Sequence, residues 1–195
     1  MAPHIRAGQI LADAFLHYPL MLHAFEGRTE ESRHRGLRQL YTRCASGASL
    51  YGGVVINDTN DGALIWLPGD SFPLGLPREI RAGMGLIPFT VGPRATLRLV
   101  RHDAVSEGWV REHAGEKMGY IWCLGVAASQ RGKGYSRALI DRAIEQMRAQ
   151  GMDSFWLKTE DPKNVTIYQR QGFELMHTMI VPSSGIQSWM MRRIT

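Results

Sequence analysis

The stretch Gln130-Arg131-Gly132-Lys133-Gly134-Tyr135-Ser136 carries the plainest chemistry in the chain. Its glycines let successive backbone N–H groups face one point. The segment behind it reads as a helix, whose positive N-terminal end adds to the same pole. Such a turn binds anions and suits phosphate. Three phosphate motifs compete for it. A P-loop places four residues between its first glycine and a Gly-Lys pair, then Ser or Thr. Here six residues separate Gly125 from Gly132-Lys133, and Gly134 follows the lysine, so the pattern fails twice. A dinucleotide fingerprint wants Gly or Ala at the sixth position from Gly132, where Arg137 stands, and no acidic residue closes a second strand in the expected setting. What remains is R-x-x-G-x-small, written as Arg131, Gly134 and Ser136. A helix start with convenient glycines would give the same letters.

A turn of this kind needs a strand before it and a helix after it. Tyr120 to Val126 reads as the strand, and Leu139, Ala143, Ile144 and Met147 line one face of a helix that stops at Gly151. Phe155 and Leu157 mark another strand, so residues 120–159 imply a parallel pair joined by a right-handed crossover. Asn164 reads as the N-cap of a short helix containing Val165, Ile167 and Tyr168 and ending at Gly172. Glu174 to Val181 and Gln187 to Arg192 form a hairpin around residues 182–185.

The first half opens with two helical faces, Ile10, Leu11, Ala14 and Phe15, then Leu37, Leu40 and Tyr41. A hairpin of Leu50 to Ile56 and Ala63 to Leu67 turns at Asn57 to Gly62. Pro68 to Pro93 is an irregular excursion with one short helix from Arg78, and Leu97, Val100, Ala104, Val105 and Trp109 return to helical spacing. The excursion and that helix read as an insertion that covers something.

The chain has 195 residues, which at roughly 150 per domain is one domain. Lys and Arg number 23 against 18 Asp and Glu, a net charge of +5 and a pI near 9.5 that suit an anionic partner. Hydrophobic residues at 44% exclude a disordered or fibrous chain. Cys44 and Cys123 cannot build a disulfide framework, which points to a reduced, cytoplasmic protein. No apolar run approaches the ~18 residues of a membrane span, and Asp13 and His17 interrupt the N-terminal stretch, so it is no secretion signal. Arg33, His34, Arg35 and Arg38 read as a solvated helix face. They lack the interleaved aromatics of a nucleic-acid surface. No spacing of Cys, His or carboxylates suggests a metal.

Taken in order, Leu124-Gly125-Val126, the Arg131–Ser136 turn, and Asn164, Tyr168, Gly172 and Phe173 resemble the successive motifs of the GNAT superfamily of acyl-CoA-dependent N-acyltransferases. The resemblance is good over Tyr120 to Arg192 and loose before it. Ala63-Leu64-Ile65-Trp66 and Ser188-Trp189-Met190-Met191-Arg192 look most like the branch containing puromycin N-acetyltransferase. The chain departs at Ala127-Ala128, where a proline is usual, at Ser136 in the last small position, and at Lys158, where that branch tends to carry Glu.

The resemblance implies an α/β (α+β) fold, with a mixed, mostly antiparallel central sheet flanked by helices and with parallel strands four and five splayed apart at a bulge. It implies one domain over residues 1–195. Residues 1–118 then hold the N-terminal helices, the hairpin and the acceptor-side insertion, and 119–195 hold the acetyl-CoA-binding core. Backbone groups around Leu124 and Val126 would hold the pantetheine arm. Arg131, Gly132, Lys133, Gly134, Tyr135 and Ser136 would meet the pyrophosphate, with Lys133 and Arg137 as counter-charges and Asn164 as a further cofactor contact.

Tyr168, by its place in the motif, would be the general acid; a phenol with an unperturbed pKa near 10 can protonate a thiolate without ionising beforehand. For the base, His113 and Glu160 are the candidates, though each reads more readily as a solvated surface residue, and a water chain would also serve. Trp66, Phe89 and Trp109 are candidates to line the acceptor pocket. The expected activity is acetyl-CoA-dependent N-acetyl transfer to a small-molecule amine by direct attack on the thioester, with no metal, nucleic acid or membrane partner, and compatible with a homodimer. The competing readings are acetylation of a protein or peptide amine, and a non-catalytic acyl-CoA sensor.

Overall fold

The computed structural model describes residues 1–194. Along the chain run α1 (Pro3–Ala14), α2 (Pro19–Ala24), α3 (Glu30–Tyr51), β1 (Gly53–Ile56), β2 (Gly62–Pro68), α4 (Leu76–Arg81), α5 (Ile87–Thr90), α6 (Pro93–His113), β3 (Met118–Val126), α7 (Tyr135–Ala149), β4 (Ser154–Thr159), α8 (Pro162–Gln169), β5 (Glu174–Val181) and β6 (Ile186–Ile194). The strands form one sheet in the order β1-β2-β3-β4-β6-β5. Only β3 and β4 are parallel; every other neighbouring pair is antiparallel. This is the mixed, mostly antiparallel sheet expected. Its third and fourth strands stand where the resemblance numbers four and five.

Local signals set the boundaries. Thr29 caps α3 by accepting from the Ser32 amide at 3.3 Å, and Glu30 and Glu31 occupy its positive first turn. Asn57 closes the first hairpin, its Oδ1 accepting from the amides of Asp61 at 2.9 Å and Gly62 at 2.8 Å. α7 buries Leu139, Ile140, Ala143, Ile144 and Met147, the stripe that its periodicity announces.

The sheet is covered on both faces. α1, α2, α3 and α5 share one core cluster with the first two strands, and α7 and Tyr168 of α8 pack into a second with Ile121 and Leu157. A third cluster joins Val110 of α6 to Tyr120, Trp156 and Met190 of the sheet.

Several expectations shift. α3 runs to Tyr51, so the first strand begins at Gly53 and Leu50 is helical. α2 was unread, being a single short turn behind Pro19. Asp161, not Asn164, caps α8, accepting from the Lys163 amide at 3.0 Å. On α6, Leu97, Val100 and Val105 are exposed, and the buried stripe is Ala95, Leu99, His102, Ser106 and Val110. That stripe includes a histidine and a serine satisfied by internal hydrogen bonds, so a search for apolar periodicity picks the wrong side.

α1 and α3 cross at Gly8, where an added Cβ would lie 2.5 Å from Thr42 Oγ1 and 2.6 Å from its Cα. Gly8→Ala gains ~1 kcal/mol in helix propensity and loses about 1–3 kcal/mol to overpacking. It should therefore lower the melting temperature, whereas Gly108→Ala, with open space around it, should not; thermal unfolding of the two variants beside the native chain checks this.

Candidate active site

Pairing between β3 and β4 stops early. Met118↔Ser154, Gly119↔Phe155 and Tyr120↔Trp156 are partners, and beyond them the strands part. On the other edge of β3, Ile121 pairs with Trp66 and Cys123 with Ile65, leaving Trp122 as an extra residue. A bulge of this kind bends its strand and sharpens its twist, which carries β3 away from β4. Residues 121–126, including Leu124 and Val126, therefore keep their β4-facing edge free of strand partners.

The gap opens into a cavity of about 710 Å³. Trp122, Cys123 and Leu124 line it from β3 and Leu157 to Thr159 from β4, with Glu160 just beyond, while Leu74, Met84 and Pro88 of the excursion and Leu99, Asp103 and Glu107 of α6 form further walls. The 68–93 excursion thus does cover something. α8 brings Asn164 and Tyr168 to the same cavity. Asn164 Nδ2 donates to Thr159 Oγ1 at 3.2 Å. Burial, reinforced by Cys123, Glu160 and Asp161, pushes the Tyr168 phenol up, so it stays protonated and able to donate.

At the far end of β3, Gly132 and Gly134 take φ of 80° and 81°, the left-handed backbone that only glycine adopts freely. α7 begins at Tyr135, and its first backbone bond is Ala138 N–H to Gly134 C=O at 3.2 Å. The amides of Tyr135, Ser136 and Arg137 precede that bond and have no carbonyl within the helix. Arg131 reaches back to the carbonyls of Val126 and Ala14, both at 3.4 Å, and Lys133 donates to Gln130 at 2.6 Å. Ser136 Oγ accepts from Gln171 at 3.4 Å, and Arg137 lies exposed beside Asp141. The turn is therefore braced by its own side chains, with its amides left available for an anion.

Glu160 is not a solvated surface residue. It is 6% exposed. Its Oε1 accepts from Lys158 at 3.1 Å and Ser188 at 3.2 Å and lies 3.2 Å from His102 Nε2, while Oε2 accepts from the Tyr18 hydroxyl at 3.0 Å. Burial alone would raise its carboxyl, but the Lys158 ammonium and the His102 contact outweigh it and hold the group down at about 2. A carboxylate so saturated is a poor proton acceptor. Lys158 is likewise buried: burial would lower it, but Asp103 at 2.6 Å, Glu160 and Glu107 keep it charged.

His113 is not brought to the cavity. It ends α6 in an exposed position, its Nδ1 2.8 Å from the Trp109 carbonyl and its ring stacked on Trp109 at 4.0 Å. Trp109 also stacks on His177, Trp66 is buried with its indole N–H donating to Gln146 at 3.1 Å, and Phe89 is 85% exposed. None of these three aromatics lines the cavity; Phe15, Tyr18, Tyr41, Phe72 and Trp122 do.

The residue that sequence reasoning missed is Glu107. It is buried on the cavity wall, where burial first, then the neighbouring Asp103 charge, pushes its carboxyl up to about 8. The one available signal was its spacing from Asp103, two carboxylates one helical turn apart.

A solved structure of a GNAT-family protein from Desulfovibrio desulfuricans aligns over 93% of this chain and 92% of its own, at 14% identity and a TM-score of 0.51. The chain has the GNAT fold. Residues 94–173, from α6 to the start of β5, match the model of the acetyltransferase (GNAT) family. A mycothiol acetyltransferase from Streptomyces scabiei is 29% identical over 78 residues, 39% of this chain and 25% of that protein. One from Beutenbergia cavernae is 37% identical over 57 residues, 28% of this chain and 19% of that protein. The matched segments thus span a quarter or less of these relatives' own length. Among the described residues no helix is long and apolar enough to cross a membrane, and no cluster of His, Cys, Asp and Glu could hold a metal.

Glu107 and Glu160 act oppositely on stability. Glu160, held low, contributes above the unfolded carboxylate value near 4.3 and loses its contribution as pH falls toward 2. Glu107, held high, contributes below ~4.3 and loses its contribution as pH rises through 8. The melting temperature should therefore decline between about pH 5 and 8.5, and Glu107→Gln should flatten that decline, as read by thermal unfolding across pH.

Proposed function

We propose that this chain is an acetyl-CoA-dependent N-acetyltransferase that acts on the amine of a small molecule. The observation that carries the reading is that the β3–β4 gap opens directly into the cavity lined by Tyr168. Three features fit the cosubstrate. The free edge of β3 around Leu124 and Val126 offers backbone groups to the amide-rich pantetheine arm. The turn from Arg131 to Ser136, with Arg137 behind it, offers N–H groups and positive charge to the pyrophosphate. Asn164, on α8, lines the same cavity as Leu124. Names of the partial relatives support acetyl transfer as the reaction.

When bound, acetyl-CoA supplies the activated thioester carbonyl. The chain must then orient it, exclude water and deliver a proton. Tyr168 holds its proton at the phenolic oxygen, stabilised there by burial, and gives it to the departing thiolate. The excursion and α6 wall off the acceptor side, which favours a small acceptor over a peptide laid across an open groove. Residues 119–195 serve as the cofactor half and 1–118 as the acceptor half of one unit. The free thiols of Cys44 and Cys123 fit a reducing cytoplasm. The puromycin branch remains a resemblance of residues 63–66 and 188–192; Lys158, buried between Asp103 and Glu160, gives this chain's pocket a different charge pattern from that branch.

Tyr168→Phe should lower kcat by ~10²-fold or more while leaving acetyl-CoA affinity unchanged. Thiol release over a panel of amines and calorimetric titration of acetyl-CoA check the two halves separately. Unchanged turnover would remove Tyr168 as the acid. Failure of the native chain to bind acetyl-CoA would remove the whole reading, and binding without turnover of any amine would favour a sensor.

A further inference from the structure

Of the two buried carboxyls that face the cavity, Glu107 and Glu160, Glu107 is the one without an ion pair. Asp103 and Glu160 are both answered by Lys158, at 2.6 Å and 3.1 Å. Glu79 and Arg111, of opposite sign, also line the cavity, and neither is buried. Glu107 is 9% exposed, makes no ion pair with any described residue, and receives a single long hydrogen bond, from the Tyr120 hydroxyl at 3.4 Å. A buried carboxyl with so little compensation is costly unless it stays protonated or a ligand brings the missing cation. The walls around it are apolar: Phe72, Leu74, Met84, Leu99 and Ile121 line the same space. Leu76 and Val100 carry that apolar lining to the surface, being 68% and 58% exposed. One unanswered carboxyl in an apolar chamber matches a ligand with one ammonium on an apolar body. It does not match a polycation, which would need several unpaired buried anions, or an amino acid, whose own carboxylate would find the buried cation, Lys158, already paired.

We propose that the acceptor is a primary amine borne on an apolar aromatic or aliphatic body, and that Glu107 is the residue that docks its ammonium and takes its proton. This rests on the acetyl-transfer reading above and names the substrate class of that site.

The step balances in protons and bonds. In the free cavity the Glu107 carboxyl holds a proton, because burial and the charges of Asp103 and Glu160 outweigh the help from Lys158 and the Tyr120 hydroxyl. Docking of R–NH3⁺ displaces that proton to solvent and sets a carboxylate against the ammonium. The ammonium then passes one proton to Glu107, leaving neutral R–NH2. Its lone pair attacks the thioester carbonyl; the C–N bond forms, the C–S bond breaks, and the thiolate takes the Tyr168 proton. The proton still on the nitrogen leaves to solvent and Tyr168 is reprotonated, so the sum is R–NH3⁺ plus acetyl-CoA giving R–NH–acetyl, CoA–SH and one H⁺.

The test uses the full chain saturated with CoA, titrated at pH 7 with phenethylamine, hexylamine, spermidine and phenylalanine by calorimetry in buffers of different ionisation enthalpy. Steady-state acetylation of the same four amines runs beside it. The two monoamines should bind with release of about one proton and be acetylated with the higher kcat/KM. Glu107→Gln should weaken monoamine binding by at least ~30-fold, the equivalent of losing a buried charge partner, and abolish proton release. Its affinity for CoA should stay native, which shows that the variant is folded. Preference for spermidine or phenylalanine, no saturable monoamine binding, or native monoamine affinity in Glu107→Gln overturns the inference. Loss of CoA binding by the native chain fails the acetyl-transfer reading instead.

Discussion

Everything in this molecule that bears on function follows from the loss of pairing between β3 and β4 after Tyr120↔Trp156. A parallel pair buried in mid-sheet would ordinarily keep its ladder to the end, because each unmade backbone hydrogen bond inside a core is costly. Here the extra residue Trp122 turns β3 aside, and the strand stays secured on its other edge through β2 as far as Val126↔Gly62. Residues 121–124, on the edge without a strand partner, thereby line one wall of a cavity. α7 follows the end of β3 by one turn, and α8 delivers Asn164 and Tyr168 to the cavity.

Holding such a gap open demands rigidity around it, and the buried polar cluster around Glu160 supplies it. Glu160 ties β4 to α6 through His102, to β6 through Ser188, and to the segment after α1 through Tyr18, whose hydroxyl also accepts from the Glu160 amide at 2.6 Å. His102 Nδ1 in turn lies 2.9 Å from Ser184 Oγ in the last hairpin turn. Four separate parts of the chain thus converge on one carboxylate, with Lys158 balancing the charge. Such networks are stable only when every member is satisfied. That satisfaction makes Glu160 structural in character and leaves Glu107, one step outside the network, as the carboxyl with unspent capacity.

Residues 119–195 were largely legible in the sequence, because their elements are written in local code. The stripe of α7, the positive-φ glycines at 132 and 134 and the last hairpin each depend on neighbours within a few residues. The splay was legible only through resemblance, since nothing in Ile121 to Val126 itself spells a bulge. Residues 1–118 are harder to read for a physical reason: α6 turns a polar, hydrogen-bonded stripe inward and leaves Leu97, Val100 and Val105 facing out. Periodicity reports hydrophobicity, not satisfaction of polar groups, so it does not single out His102 or Glu107, and His113 lies exposed at the helix end, outside the cavity lining. Glu160 was noticed and misjudged, its partners lying at residues 18, 102, 158 and 188, far apart in sequence. The arginine-rich face of α3 follows its plain reading: Arg33 and Arg35 sit beside Glu30 and Glu31, and His34 lies 2.6 Å from Asp13.

The central claim is that the β3 edge, the turn before α7 and the cavity wall around Tyr168 form one continuous binding surface for acetyl-CoA. Amide hydrogen exchange with and without CoA tests it most directly, because it reads the free edge itself. The account predicts new protection in two separate stretches, residues 121–126 and 132–137, with little change in β5 or β1. Protection confined to the turn, with the β3 edge exchanging as freely as before, would contradict it.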